Sequence, residues 1–519
     1  MNKYISKAWQ QYENGKEHKR RIGLYENIRR NERFYRGEQW YGDSHDLPRP
    51  IFNIIRRIVD YLIGNVISSR VNICYTDESL PYIDRQSDAD ALRLALEVLG
   101  GNAAYRWEHE HMDSKVYDLM LDAAISGDGI LYCSWDPAAR SSPLLLGDIK
   151  TQTVDNTNVF VADVNRADIQ SQEYIILSGR QSVLSLKREA RENGQSEGDI
   201  KKIVRSSDKS GQSGDYAEYE LLGDDEEKTD FIIKFWREDG YVCFEKSTRF
   251  CVINRRKTKL RLYPLAYFNW FRTKNSFHGT SPVTGLIPNQ KFINRAYAMV
   301  MKHMTDTAFS KVIYDKSRIP EWSNEVGEAI AASGGGNMSD AVSVVGVGQL
   351  QGGYLELIER AMADTKELMG ATETALGNTD PTNTSAILAM QEAARVPLVQ
   401  VRESLRRCLE DLAAIWADML CACYGEAGRI PVLVDGELSV KKADMSRLHD
   451  ALIRTHVEIG TVQNYTLATT QSMLDRLLTD GYIGADDYLQ LLPAGLSIDR
   501  EELARRINEH KKEAAEENE

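Results

Sequence analysis

The sequence predicts an α+β, helix-rich protein, and three observations carry that prediction. Long stretches repeat apolar residues at spacings of three and four, the signature of amphipathic helices. Short runs rich in β-branched and aromatic residues cluster between about residues 130 and 256, which is how strands read. Gly, Pro, Ser and Asp clusters separate the two kinds of segment. At 519 residues the chain has room for three or four domains of roughly 150 residues each. Its 42% apolar and 27% charged residues and mean hydropathy of -0.43 are ordinary for a globular protein. No run of about 18 uncharged apolar residues is present, so no spanning helix is expected. The start MNKYISKAWQQYENGKEHKRR has no apolar stretch behind its positive charges, so no secretory signal is read and a cytoplasmic protein, or one released by lysis, is expected.

Taken in order, the first 36 residues hold ten Lys and Arg against four Glu and read as a basic helical arm, a solvated face or a contact for nucleic acid or an acidic partner. FYRGEQW (Phe34 to Trp40) follows. LPRPIFNIIRRIVDYLIGNVI then repeats Ile54, Ile58, Tyr61 and Leu62 at helical spacing after two prolines, predicting an amphipathic helix from near Phe52. Residues 86 to 126 are helical in pattern until Ser126-Gly127-Asp128-Gly129 stops them. Strands are expected at ILYCSW, LLLGDI, NVFVAD, EYIILSG, FIIKFWRE, YVCFEKS and RFCVINRR, forming a mostly antiparallel sheet. The polar, charged segment 193 to 229 reads as a mobile insertion.

From Tyr263 the character changes. YPLAYFNWF is an aromatic run, HGTSP (His278 to Pro282) a turn, and a helix of about 26 residues begins near Val283, with Ile293, Ala296, Val300, Met304 and Ala308 as its apolar stripe. A second helix is expected from Tyr354 to about Met369 through Ile358, Ala361, Thr365 and Leu368. Gly370 to Ser385, interrupted by Gly377 and Pro381, reads as a loop. A third long helix, about Ala386 to Tyr424, places Leu398, Val401, Leu405, Cys408, Leu412, Ile415 and Met419 on one face. Pro397 inside it lacks an amide and crowds the carbonyl four residues back, so a kink is expected there. The tail from about Ser446 reads as helical, with breaks at Gly460, Gly481 and Gly495 and a charged, fraying end.

Enzyme signatures fail in turn. There is no GxxxxGK[ST] phosphate loop. Gly346, Gly348 and Gly352 imitate a dinucleotide fingerprint, but the third glycine falls one place late and no βαβ unit surrounds them. HGTSPV has Val283 where a nucleophile elbow around Ser281 needs glycine, so it reads as a turn and helix cap. His109 and His111 in EHEH stand two apart on a helix and face different sides, as do Cys421 and Cys423. The seven cysteines (Cys74, Cys133, Cys243, Cys251, Cys408, Cys421 and Cys423) include no CxxC pair, so neither a disulfide framework nor a zinc ribbon is indicated. No metal or cofactor is expected. The remaining enzymatic alternative is a cytoplasmic metal-dependent nuclease built on carboxylates such as Asp122 and Asp128.

In order and spacing, these motifs resemble the portal, or head-to-tail connector, proteins of tailed double-stranded DNA bacteriophages. FYRGEQW with PRPIFNIIRRIVDYLIGNVI resembles the amino-terminal signature of that family, AAISGDGILYCSW its helix-to-strand step, and YPLAYFNWF with HGTSPVTGLIPNQKFIN its central region. The insertion 193 to 229 and the carboxyl-terminal tail match no part of the pattern. The resemblance implies a ring of about twelve subunits around a channel at the capsid vertex, through which DNA is packaged and ejected. It implies a wing at 1–275, a first stem helix at 276–308, a clip at 309–353 and a second stem helix at 354–369. A tunnel loop at 370–385, a kinked wing helix with a following strand at 386–445 and a helical crown at 446–519 complete the subunit. Implied partners are further copies of the chain, transiently bound double-stranded DNA, the terminase large subunit, the head–tail adaptor, and the major capsid and scaffolding proteins, with no membrane. The implied location is the virion, after assembly in the host cytoplasm.

Candidate residues follow from those positions. Lys291, Arg295 and Lys302 are candidates for the channel side of the first stem helix. Thr372, Glu373, Thr374, Asn378, Thr379, Asp380 and Asn383 are candidates in the tunnel loop, and Lys311, Lys316 and Arg318 for clip contacts with motor or adaptor. The net charge of -13 suits such a channel, because a lining that held phosphates through many cations would stall a sliding duplex.

Overall fold

The computed structural model describes residues 6–40, 47–67, 71–78, 85–137, 147–205, 227–307, 311–323, 330–345, 352–371, 396–424, 429–434, 437–449 and 453–459, with residues 42, 139, 451, 473, 474 and 476–479. The α+β class holds: long helices alternate with five small sheets among the described residues, and every strand pair is antiparallel.

Helices α1 (Lys7–Arg21) and α2 (Leu24–Arg36) meet at Gly23, whose positive φ of 67° lets the chain turn between them. Helix α3 (Ile54–Val66) starts where the sequence predicts and is capped by the Asn53 side chain, which accepts from the Arg56 amide. Strand β1 (Val71–Asp77) leads to α4 (Gln86–His109) and α5 (Met112–Ser126). The predicted 86–126 helix is thus two helices, broken where His111 takes a φ of 51°. Gly127 at φ 97° ends α5 as expected, and β2 (Asp128–Asp136) begins at once.

Two sheets share the middle of the chain. In the first, β2 lies between β3 (Asp148–Thr153) and β9 (Leu265–Asn269). The second runs in the order β4 (Val159–Val161), β5 (Tyr174–Ser182), β6 (Lys228–Glu238), β7 (Tyr241–Ser247) and β8 (Val252–Lys257). Five of the seven expected strand segments lie in strands along most of their length, and NVFVAD gives three of its six residues to β4. LLLGDI instead gives only its last two residues to β3, Leu144 to Leu146 lying outside the described residues. The insertion needs correction: α6 (Val183–Glu192) is followed by α7 (Glu197–Ile200), and Ile200 and Ile203 are buried with Val183, Leu186 and Ile253. Residues 193–205 therefore belong to the packed fold, held by two buried isoleucines that the polar composition obscured. Residues 206–226 lie outside the described residues.

The second half is dominated by α8 (Pro282–Thr307), α9 (Gly353–Leu368) and α10 (Val399–Tyr424). A hairpin of β10 (Lys311–Tyr314) and β11 (Val342–Val345) stands between α8 and α9. After α10 comes a second hairpin, β12 (Arg429–Val434) and β13 (Glu437–Lys442). The tail is the second correction. Met445–His449 is a single 3₁₀ turn, and β14 (Ile453–Ile459) pairs with β1 in register from Val71↔Ile459 to Asp77↔Ile453. Its sequence IRTHVEI alternates apolar and polar residues, a period of two that fits a half-buried strand rather than a helix. Residues 480–519 lie outside the described residues.

The main core gathers α3, α4, α5, α8, α10 and the three-stranded sheet. Helix α10 is its keel: Val401, Leu405, Cys408, Leu412, Ile415 and Met419, all expected on one face, are buried together with Leu409, Trp416 and Leu420. Each such aliphatic side chain contributes about 1.5–3 kcal/mol by leaving water. No described helix is long and apolar enough to cross a membrane.

Candidate functional site: the paired helices and their anchor

Helix α8 is fixed at its start by the turn that the sequence singled out. Asp128, at the head of β2, is buried and fully engaged. Its Oδ2 accepts from Asn156 Nδ2 at 3.0 Å and lies 2.7 Å from His278 Nδ1, while its Oδ1 accepts from Asn269 Nδ2 at 2.9 Å and from the Gly279 amide at 2.6 Å. Four donors on one carboxylate tie β2, the β4 approach, the end of β9 and the α8 turn together. The two glycines are steric requirements: a Cβ on Gly127 would meet the Gly279 carbonyl oxygen at 2.6 Å, and one on Gly279 would meet the Gly127 oxygen at 2.7 Å. Ser281 donates to the Ala124 carbonyl and accepts from the Val283 amide at 3.1 Å, so it caps the helix as the sequence suggested.

About two turns into the helix, α8 carries a buried polar chain that the sequence pattern does not reveal. Gln290 Oε1 accepts from the Ile54 amide at 3.0 Å, and its Nε2 donates to the Phe52 carbonyl at 2.7 Å and to Asn294 Oδ1 at 2.9 Å. Asn294 Nδ2 donates to Gln39 Oε1 at 2.6 Å, and Gln39 Nε2 in turn donates to the Phe34 carbonyl and Asn53 Oδ1. The amide side chains of QKFIN therefore bind the FYRGEQW and PIFN segments. Sequence periodicity misses this because it reads polar residues as exposed. Pro288 also lies inside α8, so the Thr284 carbonyl forgoes its helical donor.

The remaining surface of α8 is mixed. Positions 291, 295 and 302 fall within about 40° of one another at 100° per residue, so Lys291, Arg295 and Lys302 share one helix edge, with Lys291 and Arg295 exposed. Lys291 Nζ sits 5.6 Å from the Phe34 ring centroid. Phe292 and Met299 are exposed beside that edge, and Met304 is exposed on the opposite side of the helix.

Helix α9 lies against α8 through Asn289 Nδ2, which donates to Thr365 Oγ1 at 3.2 Å, and through Ile358. Ala361 and Met362 also pack, half-buried, against the core. Of its 16 residues only Ile358 and Thr365 are buried, while Tyr354, Leu355, Leu357 and Leu368 are 56%, 42%, 53% and 75% exposed. Three of these side chains stand at the start of the helix and Leu368 at its end, and an isolated chain leaves all four in water.

The other expected sites divide. In the hairpin region Lys316 is exposed, the Lys311 side chain lies outside the described residues, and Arg318 is partly buried beneath Gly334 and Gly336, its Nη1 3.4 Å from the Asn337 carbonyl. Thr372, Glu373, Thr374, Asn378, Thr379, Asp380 and Asn383 all lie outside the described residues, as do Gly346 and Gly348. Pro397 sits in a 3₁₀ turn, Val396–Leu398, at the head of α10. Residues 386–395 lie outside the described residues, so the expected kink has no described helix before it.

The metal candidates take structural parts. Glu110 binds Lys115 at 2.8 Å and accepts from the Thr151 amide at 2.7 Å, next to the buried pair of Arg106 and Asp148 at 2.7 Å. His109 stacks on Tyr105 with ring centroids 5.1 Å apart. Burial, followed by the charges of Asp155, Asp118 and Glu32, lifts Asp122 to about 7. Among the described residues no group of three or more His, Cys, Asp or Glu is placed to hold a metal ion.

This geometry coincides with a known family pattern. Residues 257–437, from the end of β8 to the start of β13, match the family model of the phage P22-like portal protein. No curated protein matches the chain. Among solved structures, a chain of "Virion of native gene transfer agent (GTA) particle" is similar at 10% identity, covering 85% of this chain and 89% of that one, with a TM-score of 0.39. A chain of "Neck of empty GTA particle computed with C6 symmetry" is similar at 12% identity over the same shares, with a TM-score of 0.38. The stretch holding the paired helices, with His278, Gly279, Gln290 and Asn294 of the anchor, thus matches the P22-like portal proteins, the kind of protein the sequence resembles.

Proposed function

We propose that the chain is the subunit of a phage portal, a ring of about twelve copies around a channel through which double-stranded DNA enters and leaves the capsid. The observation that carries this reading is the α8–α9 pair, which falls inside the portal family match and leaves Tyr354, Leu355, Leu357 and Leu368 uncovered. Copies of the same chain, repeated head to tail, cover such a surface and close into a ring when the rotation allows.

In that ring the chain acts by shape and charge rather than by chemistry. Each copy adds a formal charge of -13, so the assembly repels phosphates at long range. A single basic edge per subunit, Lys291, Arg295 and Lys302, steadies the duplex without the many fixed phosphate contacts that would stall it. The loop 370–385 projects toward the DNA, and the β10–β11 region with Lys311, Lys316 and Arg318 meets the terminase motor and later the adaptor. The Asp128 and Gln290 anchors hold α8 to the wing so that force on the duplex is borne by the body of the subunit.

The test is packaging of DNA into proheads assembled with altered subunits. Shortening residues 372–383 is expected to abolish packaging while rings still form, and K291Q/R295Q/K302Q to slow it. Full packaging by rings lacking the loop would contradict the loop assignment.

A further inference from the structure

The five-stranded sheet carries a second concentration of positive charge, away from the paired helices. Its register places Tyr174, Trp236, Cys243 and Lys257 in one cross-strand row, and Ile176, Lys234, Glu245 and Arg255 in the next, on the same face. Helix α1 packs on that face through Trp9 and Tyr12 against Ile176 and Ile232, and Gln11 accepts from Lys234 Nζ at 2.7 Å. The cations are stacked on rings: Lys234 Nζ lies 5.0 Å from the Tyr174 centroid and 5.7 Å from that of Trp236, which Arg255 approaches from 5.3 Å. Lys257 is 6.0 Å from the Tyr241 ring.

The balance of charge on this face leans positive. Four cations, Lys7, Lys234, Arg255 and Lys257, meet three carboxylates, Glu245 at 3.8 Å from Arg255, Asp239 at 2.6 Å from Lys257, and Glu238, which accepts from Cys243 Sγ at 3.6 Å. Burial, and then the charges of Lys7 and Arg255 against the opposing pull of Glu245, hold the Lys234 ammonium below the ordinary lysine range. Arg256 and Lys259 are exposed immediately beside the row. In a chain of net charge -13, this concentration of cations stands out, although Lys234 also holds α1 through Gln11. Basic residues do guard free sheet edges, and β8 is an edge strand, which accounts for Arg255, Arg256 and Lys257. It does not account for Lys7 or Lys234, which lie off that edge.

We propose that this face is a binding site for the phosphate backbone of double-stranded DNA. Along β8, Arg255 and Lys257 stand about 6.7 Å apart, and Lys234 lies two strands away at about 9.5 Å, so the cations form a strip that follows a backbone. Backbone phosphates carry no base identity, so a site built of these cations reads charge rather than sequence. It goes beyond the channel reading, and the two fail separately.

The test uses the full chain and a labelled duplex of about 30 base pairs, titrated by fluorescence anisotropy between about 50 and 200 mM salt. With three phosphates neutralised by Lys234, Arg255 and Lys257, affinity is expected to fall about 40-fold across that range. In K234Q/R255Q/K257Q, affinity at about 50 mM salt is expected to drop at least about tenfold and the log–log salt slope to become shallower by about 2 to 3. Unchanged far-ultraviolet circular dichroism confirms that the variant is folded, and Trp236 emission is expected to respond to DNA in the wild type. Unchanged affinity and slope in this variant overturn the proposal, and loss of binding only in K291Q/R295Q/K302Q overturns it while leaving the channel reading standing. If the duplex fails to bind while polyglutamate binds and is lost in K234Q/R255Q/K257Q, the partner is an acidic polypeptide and the proposal also falls.

Discussion

Helices α10 and α9 have similar amphipathic patterns and opposite fates. Helix α10 buries eleven of its 26 residues in the main core, whereas α9 buries two of 16 and turns Tyr354, Leu355, Leu357 and Leu368 outward. An apolar stripe states that a face must be covered, not what covers it. For α10 the cover is the chain's own sheet and helices. For α9, under the portal reading, it is another copy. The difference predicts that substitutions in the two helices separate subunit stability from assembly.

The largest effect is expected in α10. Leu412→Ala removes a fully buried side chain and should cost about 2–5 kcal/mol, read as a lower denaturant midpoint of the dissociated subunit. An undiminished midpoint would show that α10 is not the keel.

The anchor between α8 and the amino-terminal motifs comes next. Gln290→Ala removes the shared acceptor of the Ile54 and Ile55 amides and the donor to Asn294 Oδ1, while Ile54 N–H keeps the Phe52 carbonyl at 2.8 Å, and should cost about 1–3 kcal/mol. Hydrogen exchange at Ile54 and Ile55 should quicken before exchange in α10 does. Equal acceleration in both would mean that the anchor is not a local joint.

Lys19 gives a smaller, pH-dependent effect. Its Nζ donates to the carbonyls of Asn156 and Val159 at 2.5 Å and of Thr157 at 3.2 Å. Burial pulls it down to about 7, against the raising influence of Asp155 and Asp128. The folded chain therefore releases a proton that the unfolded chain keeps between about pH 7 and pH 10.5. Its contribution to stability thus rises with pH through that window, by at most about 1.4 kcal/mol per unit, and is least below it. Lys19→Met should flatten this part of the stability profile; a profile still rising equally would place its origin elsewhere.

The smallest effect on the subunit, within about 0.5 kcal/mol, is expected for Leu355→Ser with Leu357→Ser, because both are exposed in one chain. Their effect should appear instead in assembly, as rings that dissociate at higher protein concentration.

What the sequence made legible follows the same division. Periodicity located α3, α8 and α9 to within a few residues, placed the end of α10 at Tyr424 and found five of the seven expected strands along most of their length, because burial inside one chain writes its period directly into the residues. It failed where long-range pairing overrides local pattern. The strand β14 is a pair of β1, nearly 400 residues away in sequence, and Ile200 and Ile203 are apolar islands in a polar stretch. At the candidate site, Ser281, Gly279 and the Gly127–Asp128 stop were readable as turn and cap chemistry. The Gln290–Asn294–Gln39 chain was not, since nothing local distinguishes a buried amide from a solvated one.

The central claim, that α9 awaits another copy of the chain, is tested most directly by the mass and class averages of the purified protein in negative-stain electron microscopy. The account predicts closed rings of about twelve copies with a central hole. A monomer that persists at high concentration, and that cleaves DNA when a divalent metal is added, would contradict it.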